Sequence, residues 1–334
     1  MSSDLLWKLA VQRISFLKTD EKRKVLAYCI NSGRMPERKT LVDLIRRDFR
    51  SSYKKESILH EAENDLSLMI KQGIFTLSVD DEAYPEKLRS IHNPPFLLYG
   101  RGETLLSDVL NISVVGTRKA TGLAMEKAFA LSFHLARSGA AVTSGLASGT
   151  DSAAHSGALA GKGYTLAVFG CGIDRIYPSS SKDLAARILD EGGTLLSEYP
   201  PGIPPVRYNF PERNRIVSAL SEALVVVESP ARSGALITAD FALEQGRDVF
   251  VLNAASPSPS AGEGTNSLIE DGAVVVESAD DVLRELSYSV KSRDRSPVLL
   301  SHSGSRATGR FLADRFRAEL EEREISREGV YYSL

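Results

Sequence analysis

The feature that most constrains this chain is a series of seven short apolar segments between residues 111 and 286. They are Ile112–Val115, Ala140–Thr143, Tyr164–Phe169, Thr194–Leu196, Leu224–Val227, Val249–Leu252 and Ala273–Val276. Most are continuous rather than alternating and are rich in Val, Ile and Leu. That is how parallel strands buried on both faces look. Helical stretches lie between many of them, for example Ala120–Arg137, Asp183–Leu189 and Ala235–Gln245. Such alternation predicts an α/β fold built on a doubly wound, mostly parallel sheet.

The flanks read differently. Residues 1–72 carry helical periodicity alone and predict a small all-helical N-terminal domain. Leu5, Leu6, Leu9 and Ile14 share one face, and Ile58, Leu59, Ala62, Leu66, Met69 and Ile70 another, ended by Gly73. This stretch holds 15 Lys/Arg against 10 Asp/Glu, an excess that a solvated basic face explains. Residues 73–104 read as a connector packed on the next domain. One short strand, IFTLSV, is followed by loop and turn marked by Asn93-Pro94-Pro95 and Gly100-Arg101-Gly102. Residues 105–286 form the α/β domain. Residues 287–334 read as a linker and a charged C-terminal tail, with too few apolar positions for an independent winged helix or other domain.

Composition narrows the function classes. Lys plus Arg is 41 and Asp plus Glu is 43 in 334 residues, which excludes a uniformly basic, histone-like binder while leaving room for a local basic groove. Only two cysteines occur, Cys29 and Cys171, and they form no CxxC pair, so neither a disulfide scaffold nor a cysteine zinc site is expected. No apolar run approaches a membrane span. The start, MSSDLLWKLA, has no basic flank before an apolar core, so a cytoplasmic protein is the expectation.

In a doubly wound sheet, ligands bind outside the carboxyl ends of the strands, and the loops there are unusual. Val114–Gly122 reads VVGTRKATG. It follows a strand and opens a helix, so the amides around Gly116, Thr117, Lys119 and Gly122 are placed to receive a phosphate. The second glycine of a dinucleotide fingerprint is replaced by Arg118, which disfavours an NAD-type site and offers a planar fork instead. Thr143–Asp151 supplies Ser144, Gly145 and Gly149 as a second candidate phosphate cradle, with Asp151 as a helix cap. Asp151 and His155 are i,i+4, but no other histidine has matching ligand spacing, and no metal is expected. FGCGIDRIYP adds Gly170. The segment VRYNFPERNR interleaves Arg207, Arg213, Asn214 and Arg215 with Tyr208 and Phe210. Basic residues neutralise a backbone while aromatic faces stack bases, the way single strands are gripped without sequence readout. The proline after Phe210 puts that ring on a loop. Ser233, Gly234 and Thr238 form one more anion-compatible turn. No Gly-x-Ser-x-Gly elbow, Walker A loop or HExxH is present. Binding is expected, without catalytic residues or a cofactor.

These loops, in this order, resemble the DNA-processing protein A family, DprA, also called Smf. The resemblance runs from about Ile74 to Leu286 and rests on LSVDDEAYPEKLRSIHNPPFLLYG, VGTRKATG, SGLASGTDSAAHSGAL, LLSEYPPG, NFPERNRI and SGALITADFALEQGRDVF. It implies an extended Rossmann-like domain that binds single-stranded DNA, forms a homodimer and delivers the DNA to the recombinase RecA during natural transformation. By position, Arg118 matches the family's principal DNA-binding arginine, Arg207 a basic groove position and Phe210 the base-stacking aromatic, and the resemblance implies Lys182, after the Tyr177-Pro178 turn, as a further contact. Two departures stand out. Ser148 and Thr150 replace Arg and Ile of the usual SGLARGID, and Leu252-Asn253 stand where a Pro-Gly turn is usual. A related group, the lysine-decarboxylase-like nucleoside monophosphate phosphoribohydrolases, carries a catalytic glutamate three residues after the threonine of its Gly-rich turn. Here that position is Phe241. A nucleotide-sensing or interaction module is the third reading.

Overall fold

The structure is a computed structural model that describes residues 3–104, 109–254 and 259–287. Four helices come first: α1 (Ser3–Gln12), α2 (Thr19–Ser32), α3 (Arg38–Ile45) and α4 (Lys55–Gln72). The predicted linker and charged C-terminal tail beyond residue 287 lie outside the described residues.

The α/β part is one nine-stranded sheet. Its strands are β1 (Phe75–Ser78), β2 (Leu97–Gly102), β3 (Asn111–Val115), β4 (Ala141–Ser144), β5 (Thr165–Phe169), β6 (Thr194–Ser197), β7 (Ala223–Val226), β8 (Asp248–Leu252) and β9 (Val274–Val276). The spatial order is β1-β2-β6-β5-β4-β3-β7-β8-β9. From β6 to β9 every neighbouring pair is parallel. β1 and β2 extend one edge as antiparallel strands. The chain winds outward from β3 through β4, β5 and β6, then returns to β7 on the other side of β3. The switch point therefore lies between β3 and β7.

Both faces are covered, and side chains of a strand divide between them with period two. Ile112, Val114, Val225, Val227, Phe250 and Leu252 pack on one face with Ala124, Ala128, Leu131 and Leu135 of α6 (Gly122–Arg137) and Ala153 and Ala154 of α7 (Thr150–Ala160). Val115, Leu224, Val226, Val249 and Val251 pack on the other with α9 (Asn209–Ala219), α10 (Gly234–Glu244) and the N-terminal helices. Continuous apolar strands thus follow from two buried faces.

Two local expectations are corrected. Leu97–Gly102, read as turn, is strand β2. Gly100 makes room rather than a bend: a Cβ there would stand 2.1 Å from the ring of Phe75 on β1, whereas Gly102, at φ +98°, ends the strand in a left-handed conformation. Phe210, read as a loop residue, sits in the first turn of α9. Pro211 follows it there without cost, because the first turn's N–H groups have no intrahelical acceptors.

The N-terminal helices dock on the segments leading into α9 and into β2. Gln12 Nε2 donates to Glu198 O at 2.7 Å, Arg13 Nη2 to Pro201 O at 2.9 Å, and Thr19 Oγ1 to Pro94 O at 2.5 Å.

Candidate nucleic-acid interface

The loops predicted to carry chemistry converge at the carboxyl ends of β3, β4, β5 and β7. Arg118 is exposed in the β3–α6 loop, and its guanidinium carbon lies 5.4 Å from the centre of the Phe210 ring. On the same ring, Tyr177 approaches with centroids 5.3 Å apart at an interplanar angle of 41°. Gly170 lies beneath it: a Cβ there would stand 2.9 Å from Phe210 Cδ1. Arg118, Tyr177, Phe210, Ser148 and Arg213 line one open pocket.

Arg213 is the pocket's floor. It is 4% exposed and donates from Nη1 to Val168 O. Burial lowers its pKa, and the nearby Asp151 carboxylate opposes the drop. Asp151 is pushed up by burial and held back by Arg213 and by the amides of Ala147 and Gly145. Buried His155 bonds through Nδ1 to Thr165 Oγ1 at 2.7 Å, and burial lowers its pKa to about 3. It is a neutral packed residue. No group of three or more His, Cys, Asp or Glu able to hold a metal occurs among the described residues.

The expected backbone phosphate cradles are filled from within. Asp151 Oδ2 accepts from Gly145 N at 3.2 Å and Ala147 N at 3.3 Å, so the chain's own carboxylate sits at the start of α7. At the start of α6, Glu228 Oε2 accepts from Thr121 N at 2.8 Å. The starts of both helices nearest the switch point thus carry a carboxylate of the chain, each accepting from an amide of the loop that leads into the helix. Gly149 (φ +78°) serves packing: a Cβ would meet Thr117 O at 2.6 Å.

Hydroxyls expected at the site are also committed. Ser144 donates to Val114 O at 2.7 Å, Thr238 to Gly234 O at 3.2 Å, and Ser233 caps α10 by accepting from Ala235 N at 3.2 Å. Asn214 ties α9 to Gly234 O at 3.1 Å. Lys119, Lys182, Arg207 and Gly122 are exposed. Arg215 is elsewhere: it is 5% exposed, and its Nη2 donates to both Glu198 oxygens, at 2.6 and 2.8 Å. Arg213 and Arg215 stand two residues apart, so on a helix they face different ways.

Two contributors were not singled out from sequence. Tyr177 is 45% exposed beside Phe210; its signal was an aromatic in the Gly-rich loop after a strand end. Glu228 follows β7 in the same way but carried no spacing that marked it.

A family model described as DNA recombination-mediator protein A matches residues 75–287. The DNA processing protein DprA of Bacillus subtilis is 42% identical over 217 residues, 65% of this chain and 72% of that one. Protein Smf of Escherichia coli is 38% identical over 239 residues, 72% of this chain and 63% of that one. Among solved structures, DNA processing protein A of Streptococcus pneumoniae superposes with a TM-score of 0.68 at 32% identity, covering 84% of this chain and 97% of that one. DNA processing protein A of Helicobacter pylori, described for its single-stranded DNA binding mode, superposes with a TM-score of 0.58 at 30% identity, covering 65% of this chain and 97% of that one. With its core strands and switch-point loops all inside the matched region, the chain belongs to the DNA recombination-mediator protein A family, DprA/Smf.

Proposed function

We propose that this chain binds single-stranded DNA in the cytoplasm, protects it and passes it, as a homodimer, to the recombinase RecA during natural transformation. The observation that carries the DNA reading is the Arg118–Phe210 pair, a cation 5.4 Å from an aromatic ring at the mouth of an open pocket. A guanidinium can take a phosphate bidentately while the ring stacks a base. Exposed Arg207, Lys119 and Lys182 supply further charge for the backbone. Asp151 and Glu228 place carboxylates at the starts of α7 and α6, which argues against a mononucleotide phosphate there and for phosphates held by side chains. Action by binding rather than catalysis is supported by Phe241, which stands where the related hydrolases carry glutamate and sits in a separate cleft with Glu212 and Arg215.

The test is a titration of fluorescent oligo-dT at several salt concentrations, with duplex and free nucleotides as competitors. Binding that weakens with salt and prefers the single strand supports the reading. Arg118→Ala is expected to cost about 1.5–3 kcal/mol of binding and about 0.7 of the salt slope. Preference for free nucleotides, or unchanged binding by Arg118→Ala, contradicts it.

A further inference from the structure

The geometry points to Glu228 as the positioning residue that fixes Arg118 at the groove, an assignment that rests on the single-strand reading above. Glu228 lies just past β7, the strand beside β3 at the switch point, and is 1% exposed. It holds the Arg118 loop at two places. Its carbonyl accepts from Thr117 N at 2.8 Å, and its Oε2 accepts from Thr121 N at 2.8 Å. These two amides bracket Arg118 in the chain.

The loop is supported from the opposite side as well. Thr150 N and Oγ1 donate to Thr117 O, both at 3.4 Å, near the outer limit of a hydrogen bond. The Glu228 bonds are shorter and tie the loop to a central strand. The carboxylate also stands at the N-terminus of α6, where the helix dipole favours it. Without it, Thr121 N loses its acceptor; Thr121 keeps its bonds to the first turn of α6, but Thr117 to Ala120 are then tied to the rest of the fold by the Glu228 carbonyl and the long Thr150 contacts, with Arg118 against the Phe210 ring. Arg118 would then have to be ordered when DNA binds, and that ordering subtracts from affinity. An acidic residue facing a DNA groove would ordinarily oppose binding. Buried and bonded to the loop, this one favours it.

The experiment uses the full chain, oligo-dT and a salt series. Glu228→Ala is expected to lose about tenfold in affinity and about 0.7 of the salt slope, the signature of one single-strand phosphate contact. In an Arg118→Ala background the same substitution is expected to add no more than about twofold, because both act through one contact. Thr121 supplies a second route, since its φ of −63° suits proline. Thr121→Pro deletes the donor, whereas Thr121→Ala loses the same hydroxyl cap and keeps the N–H. The first is expected to match Glu228→Ala, the second to bind within about twofold of the parent. A folded Glu228→Ala that binds normally overturns the assignment, as does a full multiplicative loss in the Arg118→Ala background. If Glu228→Ala does not fold, equal binding by the two Thr121 variants overturns it. Normal binding by Arg118→Ala alone instead removes the single-strand site itself.

Discussion

The guanidinium of Arg213 rests on the bare α-carbon of Gly145: a methyl group there would stand 2.1 Å from Nη1. Gly145 opens the loop that the sequence reading assigned to phosphate. Its role is to admit a buried arginine of the chain itself.

Gly145→Ala is therefore expected to push Arg213 off Val168 O and leave a buried charge without its acceptor. The cost should be about 1–3 kcal/mol, read as a lower melting temperature. Oligo-dT affinity should fall too, because Arg213 forms the pocket floor. An unchanged melting temperature contradicts the close packing.

Arg215 leads to the opposite expectation for DNA. Its side chain is 7% exposed and that of Glu198 17%, with 2.6 Å between them. Glu198→Gln would leave Arg215 buried without its main partner, at a cost of about 3–5 kcal/mol in stability. The folded fraction should bind oligo-dT as the parent does. A marked loss of affinity with normal stability would return Arg215 to the groove.

Lys22 links the helical module to the same network. It is 8% exposed, donates to Gln12 Oε1 at 2.8 Å, and lies 5.8 Å from the centre of the Phe96 ring. Burial lowers its pKa to about 8, with Glu198 pulling it back up and Arg215 adding to the fall. An unfolded lysine keeps its proton to about 10.4, so above about 8 the unfolded state binds more protons, and stability rises with pH through that window. The burden relieved is about 3 kcal/mol. Cys29 and Cys171, pushed up to about 11 by burial, act in the opposite sense above about pH 9, so the Lys22 contribution is read as a difference: the melting temperature of the parent relative to Lys22→Met should rise between about pH 8 and about 10. A difference that stays constant over that range would clear Lys22 of the effect.

Strands such as Val249–Leu252 were legible because two buried faces leave no polar positions to obscure the pattern. The switch-point loops were legible by their glycines and arginines. What those residues do there was less so. Gly145 and Gly149 admit packing partners, and Asp151 and Glu228 take amides of the same Gly-rich loops. Arg213 and Arg215 are one chemical type two positions apart, and only the partners that α9 meets separate them. Leu97–Gly102 was hidden because a glycine beneath an aromatic ring and a glycine in a turn look alike in a string of letters.

Phe210 is the residue whose role one variant can decide. Its ring lies between Arg118 at 5.4 Å and Tyr177 at 5.3 Å, above the bare Gly170, and it is half-buried. If it stacks on a base, Phe210→Ala loses about 1–3 kcal/mol of oligo-dT binding. Stacking releases no counterions, so the salt slope stays nearly constant, whereas Arg118→Ala lowers affinity and slope together. A ring that served the core alone would instead cost about 3–5 kcal/mol of stability on truncation. The open pocket on one side of the ring argues for the first outcome. Thermal melting and titration of Phe210→Ala should therefore show a small loss of stability and a large loss of affinity. The reverse pattern would make Phe210 a packing residue and leave Tyr177, 45% exposed beside it, as the stacking surface.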